Sequence, residues 1–340
     1  MTHHYNVEHH HNGKAVVGTL LAGVFLTALA VGAEQVATGK DHRSFRKRTK
    51  VVSRIREAER SVHIMPGCRA NGEYIGEMLD PHIQHIGTTH HEAYAEHDFD
   101  FEETKQSELE ARAKDMGRAA VVYCLSMGGL KFAKSLTDPE YREKFGKIDT
   151  LILDSSPADI EDLDSGTRLA MFASRVLPPS WIVSRMYRRV MRRAAKRLEP
   201  HSPKVTDEQV YGHRISSADT PLHAVRGQAR FIHETHLKDG ELAEVAKDIG
   251  AIYYVSSSHD AVVNRHTAYE KYNRIFGGRV IQIVDYDRDP KGHAAGPEYP
   301  ELIVSLMEGR YPLMESAGQQ AASTTEPQQT IDLSPASAAA

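Results

Sequence analysis

Residues 119–129 read AAVVYCLSMGG, a continuous apolar run that stops at Ser126, Met127 and the pair Gly128-Gly129. An unbroken run rich in β-branched residues and closed by glycine reads as a strand buried on both faces. Gly128-Gly129-Leu130 then opens a helix predicted to reach about Leu136. A serine on so sharp a strand-to-helix turn projects its hydroxyl above the sheet edge. The backbone folds back on itself there, so small neighbours are needed two residues to either side. The start of the following helix adds positive potential where an oxyanion would develop. The competing reading is a serine that caps a helix in a nucleotide-binding fold. Neither G-x-G-x-x-G nor G-x-x-x-x-G-K-[ST] occurs in the chain, so a phosphate-cradling loop lacks support.

Working outward, SVHIM (61–65) is strand-like and stops at Pro66-Gly67. DTLILDSS (149–156), AIYYVSSS (251–258) and RVIQIVDYD (279–287) read as further strands, while 107–117, 267–276 and 299–308 have helical composition. Apolar strands alternating with helices imply a parallel sheet covered on both faces, so the expected fold class is α/β, doubly wound. Residues 158–248 interrupt this alternation with no strong strand. They read as helices, too long for a plain crossover, and are expected to cap the C-terminal ends of the strands. No internal repeat is visible.

The segment Cys124-Leu125-Ser126-Met127-Gly128 resembles the nucleophile elbow of the α/β-hydrolase family, G-x-S-x-G, with cysteine in place of the first glycine. The resemblance covers roughly residues 60–310 and implies a mostly parallel α/β-hydrolase sheet with a helical cap. In that family the order along the chain is Ser, then Asp or Glu, then His, each on a loop after a strand. It therefore implies Ser126 as nucleophile and Asp260, in SSSHDAVVN after a strand, as the acid. Asp154, at the end of DTLILDSS, is the rival acid, because some members place the carboxylate one strand earlier. His293, in DRDPKGHAAGPEYP between the last strand and the last helix, fills the place of the base. The oxyanion donors implied are the amide of Met127 and, in Pro66-Gly67-Cys68, the amide of Cys68, with Gly67 permitting the tight turn. The resulting chemistry is a two-step acyl transfer from an ester or thioester that needs no metal or organic cofactor.

The chain has 340 residues and a net charge of −4, so no global field argues for nucleic acid. Its two cysteines, Cys68 and Cys124, are read as free thiols, which require no oxidising compartment. Histidine is so frequent, at 20 residues, that any single one is weak evidence for a site. Residues 1–14 form a polar, His-rich start.

From Ala15 to Ala33 the sequence AVVGTLLAGVFLTALAVGA carries no charge. As a helix it would span roughly 28 Å, close to a bilayer's hydrocarbon thickness. It is read as a single-pass anchor. The basic residues behind it, Lys40, Arg43, Arg46, Lys47, Arg48 and Lys50, place the domain on the cytoplasmic side. Val31-Gly32-Ala33 leaves a cleaved export signal as the alternative. Residues 34–60 form a basic juxtamembrane segment in which VVSRIREAER is expected to be helical, and 313–340 a polar tail unable to offset its ordering entropy.

Within the cap region, WIVSRMYRRVMRRAAKRL (181–198) has one apolar stripe among arginines and suits either an anionic membrane face or a solvated cap helix. The function expected from these features is a membrane-anchored serine esterase, lipase or thioesterase acting on a small-molecule or lipid acyl ester. An acyltransferase and a non-catalytic, membrane-tethered binding protein are the alternatives.

Overall fold

The computed structural model describes residues 49–310, apart from 57–58, 95–98, 116, 177–188, 190–200, 221, 258–259, 285–292 and 295. The expected anchor at 15–33, the tail at 313–340 and all but Arg189 of the basic segment 181–198 lie outside the described residues. Among the described residues no helix is long and apolar enough to cross a membrane.

Seven strands form one sheet: β1 (Lys50–Arg54), β2 (Arg60–Met65), β3 (Gly87–Ala93), β4 (Ala119–Leu125), β5 (Ile148–Asp154), β6 (Ala251–Ser256) and β7 (Val280–Val284). Their order is β1-β3-β2-β4-β5-β6-β7. Only the β1–β3 pairing is antiparallel. The helices are α1 (Gly72–Ile83), α2 (Phe101–Arg112), α3 (Met127–Ser135), α4 (Pro139–Phe145), α5 (Ser165–Val176), α6 (Asp207–Asp219), α7 (Leu222–Glu234), α8 (Ala243–Lys247), α9 (Arg265–Ile275) and α10 (Pro300–Met307). Helices α5 to α8 stand between β5 and β6.

Period-two alternation along β4 builds two cores, because successive side chains leave a strand on opposite faces. Val122 and Cys124 join Leu130 and Phe132 of α3, Tyr141 and Phe145 of α4, and Tyr272 of α9. Val121, Tyr123 and Leu125 join Ile75, Leu79 and Ile83 of α1 and Ile303, Leu306 and Met307 of α10. A strand apolar on both sides is thus covered on both sides, as a doubly wound fold requires.

Two elements depart from the sequence reading. Residues 51–54, expected within a juxtamembrane helix, belong to the edge strand β1, registered Lys50 against Ala93 and Arg54 against Thr89. The β-branched pair Val51-Val52 sits mid-strand, and the charges that resembled a helix surface lie at its ends, pairing with Glu73 and Asp80. The second is β3, GTTHHEA, in which hydropathy shows no strand although every residue is buried. Several of its polar groups find partners instead. Thr88 meets the backbone of Arg56, His91 lies 3.0 Å from Asp80, and Glu92 meets Lys131. Buried polar groups of this kind are tolerated because they are hydrogen-bonded.

Candidate active site

Ser126 joins the end of β4 to the start of α3 with φ 48° and ψ −120°. A non-glycine residue at positive φ costs on the order of 1–3 kcal/mol and persists where its surroundings over-determine it. Here the Ser126 amide donates to the Asp154 carbonyl at 2.8 Å, and its own carbonyl accepts from the Gly129 amide at 3.0 Å. The turn after β2 presses against this elbow. A Cβ on Gly67 would sit 2.8 Å from the Ser126 Cβ, and one on Gly128 would sit 2.4 Å from the Met65 carbonyl oxygen. Glycine is required at both positions because two backbones share the space. Cys124, in the place of the first elbow glycine, is fully buried in the core on the α3 side.

Around this elbow the structure brings together three side chains distant in sequence. His293 Nε2 lies 3.1 Å from Ser126 Oγ. Its Nδ1 lies 3.1 and 3.0 Å from the two carboxylate oxygens of Asp260. An ionised carboxylate only accepts, so Nδ1 carries the proton and Nε2 is left to accept from the serine hydroxyl. Asp260 also accepts from the amides of Val262 at 2.8 Å and Val263 at 2.9 Å. Burial opposes ionisation of Asp260, but the charge and hydrogen bonds of His293 and these two amides outweigh it, holding the carboxyl below its ordinary value. The Asp260 side chain is 2% exposed and that of His293 22%, so the line runs from the interior towards the surface.

Asp154, the rival acid, is occupied elsewhere. Its Oδ2 accepts from the Tyr123 hydroxyl at 2.6 Å and from the Gly296 amide at 3.1 Å. Burial raises this carboxyl to about 6, against the pull of Tyr123, Gly296 and His293. Asp154 therefore anchors the loop that bears His293, three residues before Gly296. The sequence reading missed that role. Its only trace was a tyrosine inside an apolar strand, whose hydroxyl needs a buried partner.

Met127 is the first residue of α3, where an amide has no partner within the helix. Cys68 follows Gly67 in the turn against the elbow. Its thiol donates to Gln228 Oε1 at 3.1 Å, and burial, slightly offset by Arg69, pushes it up to about 12. Both cysteines are free. Tyr94, from the end of β3, donates to the Pro66 carbonyl at 2.6 Å and fixes the same turn from the other side. Among the described residues the non-glycine positions at positive φ are Arg69, Ser126, Ser155 and Ala294. Ser126 lies in the elbow, Arg69 in the turn beside it, Ala294 next to His293 and Ser155 directly after Asp154.

Among the described residues, one buried group elsewhere has metal-ligand composition: His63, His90 and Asp115, with ligand atoms within 4.8 Å of one another. Its members bond among themselves and to Ser53 and Ser61. Arg112 donates to Ser61 and to the Asp115 carbonyl, and Arg118 lies 3.8 Å from the Asp115 carboxylate. Two guanidinium groups beside a single carboxylate disfavour a dication there.

A mostly parallel seven-stranded sheet with this serine turn after its central strand is the α/β-hydrolase fold. Solved structures with the same fold include a hydrolase from Pseudomonas aeruginosa, at 14% identity and TM-score 0.52, covering 77% of this chain and 93% of that one. The carboxylesterase CesB from Bacillus subtilis matches at 11% identity and TM-score 0.52, over 86% of this chain and 98% of that one. A structure described among carboxylesterases of Nitrososphaera gargenis matches at 10% identity and TM-score 0.55, over 77% and 93%. No family model matches the chain, and no curated protein does.

Proposed function

We propose that the chain is a serine hydrolase of esterase or thioesterase type, acting through Ser126, His293 and Asp260. The observation that carries this reading is the hydrogen-bonded line from Ser126 Oγ through both ring nitrogens of His293 to the Asp260 carboxylate. His293 Nε2 takes the hydroxyl proton as Ser126 Oγ bonds to the acyl carbon. The amides of Met127 and Cys68 receive the negative oxygen. The imidazolium, steadied by Asp260, returns the proton to the departing alkoxide or thiolate. Water then attacks the acyl-serine by the same route in reverse. The neighbours described as carboxylesterases support an acyl ester as substrate class.

The closed line argues against a non-catalytic binding protein, for which nothing would need to hold an imidazole between serine and aspartate. Fluorophosphonate labelling of the purified protein, native against Ser126→Ala, tests the reading. Labelling that disappears in the variant is expected. Native protein that stays unlabelled while a known serine hydrolase reacts would sink it.

Tethering by residues 15–33 is a separate part of the proposal. It rests on an uncharged run long enough to cross a bilayer, followed by a basic cluster. A substrate of lipid character would reach the site of such a protein from the membrane surface.

A further inference from the structure

Arg69 follows the proposed oxyanion residue Cys68 and stands at φ 66°. The strained residues of the sheet are held by the sheet itself. Ser126 donates to the carbonyl of Asp154, and Ser155 to that of Val255, both at 2.8 Å. Arg69 is held differently, by side chains of α7 and of the residue that follows α6. Its amide donates to Gln228 Oε1 at 2.9 Å, and its carbonyl accepts from Thr220 Oγ1 at 3.0 Å. The same Gln228 oxygen accepts from the Cys68 thiol at 3.1 Å. Gln228 is 2% exposed, so its oxygen has little water to turn to in place of these donors. Within the turn the Ala70 amide donates to the Gly67 carbonyl at 3.2 Å.

We propose that Gln228 is a positioning residue for the Cys68 amide, so that the packing of α7 sets how well the oxyanion is stabilised. The inference rests on the proposed serine hydrolase reading. Donors aimed where charge develops are effective only when held in place beforehand, so a loosened turn costs rate in the transition state rather than substrate affinity.

The test compares native full-length protein with Gln228→Met, which keeps the volume and removes the acceptor. The readouts are fluorophosphonate labelling, hydrolysis of p-nitrophenyl butyrate and inhibition by a trifluoromethyl ketone bearing the same acyl chain. The ketone binds as a tetrahedral oxyanion. In Gln228→Met, kcat is expected to fall about tenfold to a hundredfold with KM nearly unchanged, and ketone affinity to weaken in proportion to kcat/KM. A folded variant with native kcat and native labelling rate overturns the inference. So does one that loses kcat while ketone affinity holds. If Gln228→Met does not fold, Thr220→Val, which removes the hydroxyl donor to the Arg69 carbonyl, is judged by the same criteria. Native protein that neither labels nor hydrolyses the ester refutes the hydrolase reading itself, and the inference with it. Native protein that labels alongside an unaffected variant refutes the inference alone.

Discussion

At the scale of single residues, two aspartates near one histidine do different work. Asp260 faces Nδ1 of His293 and is held ionised. Asp260→Asn keeps the shape but can impose the wrong imidazole tautomer, and should lower kcat by roughly 10⁴ with little effect on KM, measured by ester hydrolysis. Asp154 is buried and raised to about 6 from 3.8. A carboxyl raised in the folded state makes the native protein bind more protons than the unfolded chain between those values. Stability contributed at low pH is therefore lost as pH rises through about 6, by up to about 3 kcal/mol. Asp154→Asn removes that loss, so relative to native its stability should climb between pH 4 and 7 in urea unfolding. A flat difference would refute this assignment. The proposed line of Ser126, Asp260 and His293 is legible in the sequence through its resemblance to the α/β-hydrolase order, each residue following a recognisable strand. Tyr123, Gln228 and the anchoring role of Asp154 are not. Gln228 is 160 residues from Cys68, and no periodicity encodes a contact formed only when separate elements pack.

At the scale of elements, α3 does more than present the serine. Lys131, one turn beyond the elbow and fully buried, pairs with Glu92 of β3 and Glu108 of α2, and Tyr141 of α4 also donates to Glu108. Burial and the neighbouring Glu108, against the pull of Lys131, push Glu92 up to about 8. Lys131→Met would leave the buried acidic pair Glu92 and Glu108 without its cation and should destabilise the protein by about 3–5 kcal/mol, read from urea unfolding. Adding Glu92→Gln and Glu108→Gln should recover much of that loss. This network also explains why β3 was illegible in the sequence. Its threonines, histidines and glutamate are buried by pairing rather than by apolar character, so a hydropathy pattern passes over them. β1 was misread for the converse reason. Its charged ends dominate a short strand whose edge position lets them reach solvent and partners.

At the scale of the whole molecule, the fold was legible because apolar strands covered on both faces leave a strong signal. The helices between β5 and β6 carry instead the helical spacing of a single buried stripe, as Val225, Ala229 and Ile232 do along α7. The proposed tether makes a prediction about the full chain. Native protein expressed in cells should stay with membranes through alkaline carbonate, and a variant lacking residues 1–33 should move to the soluble fraction with Ser126 labelling intact. Release of the native protein by carbonate would remove the anchor from the reading. Retention of the truncated protein, lost on charge reversal at Arg188, Arg189, Arg192 and Arg193, would assign membrane contact to the basic segment instead.

The Cys68 thiol has a consequence for inhibitor chemistry. With the thiol raised to about 12, only about one molecule in 10⁵ carries a thiolate at pH 7, and the thiolate is the reactive form. Warheads tuned to soft sulfur, such as acrylamides and chloroacetamides, should therefore pass over this cysteine despite its place beside the elbow. Cys124 is fully buried, with its thiol held well above the ordinary value. Under the proposed mechanism, covalent ligands for the Ser126 site are accordingly best built around hard electrophiles that seek an activated hydroxyl, such as phosphonates, carbamates and boronic acids.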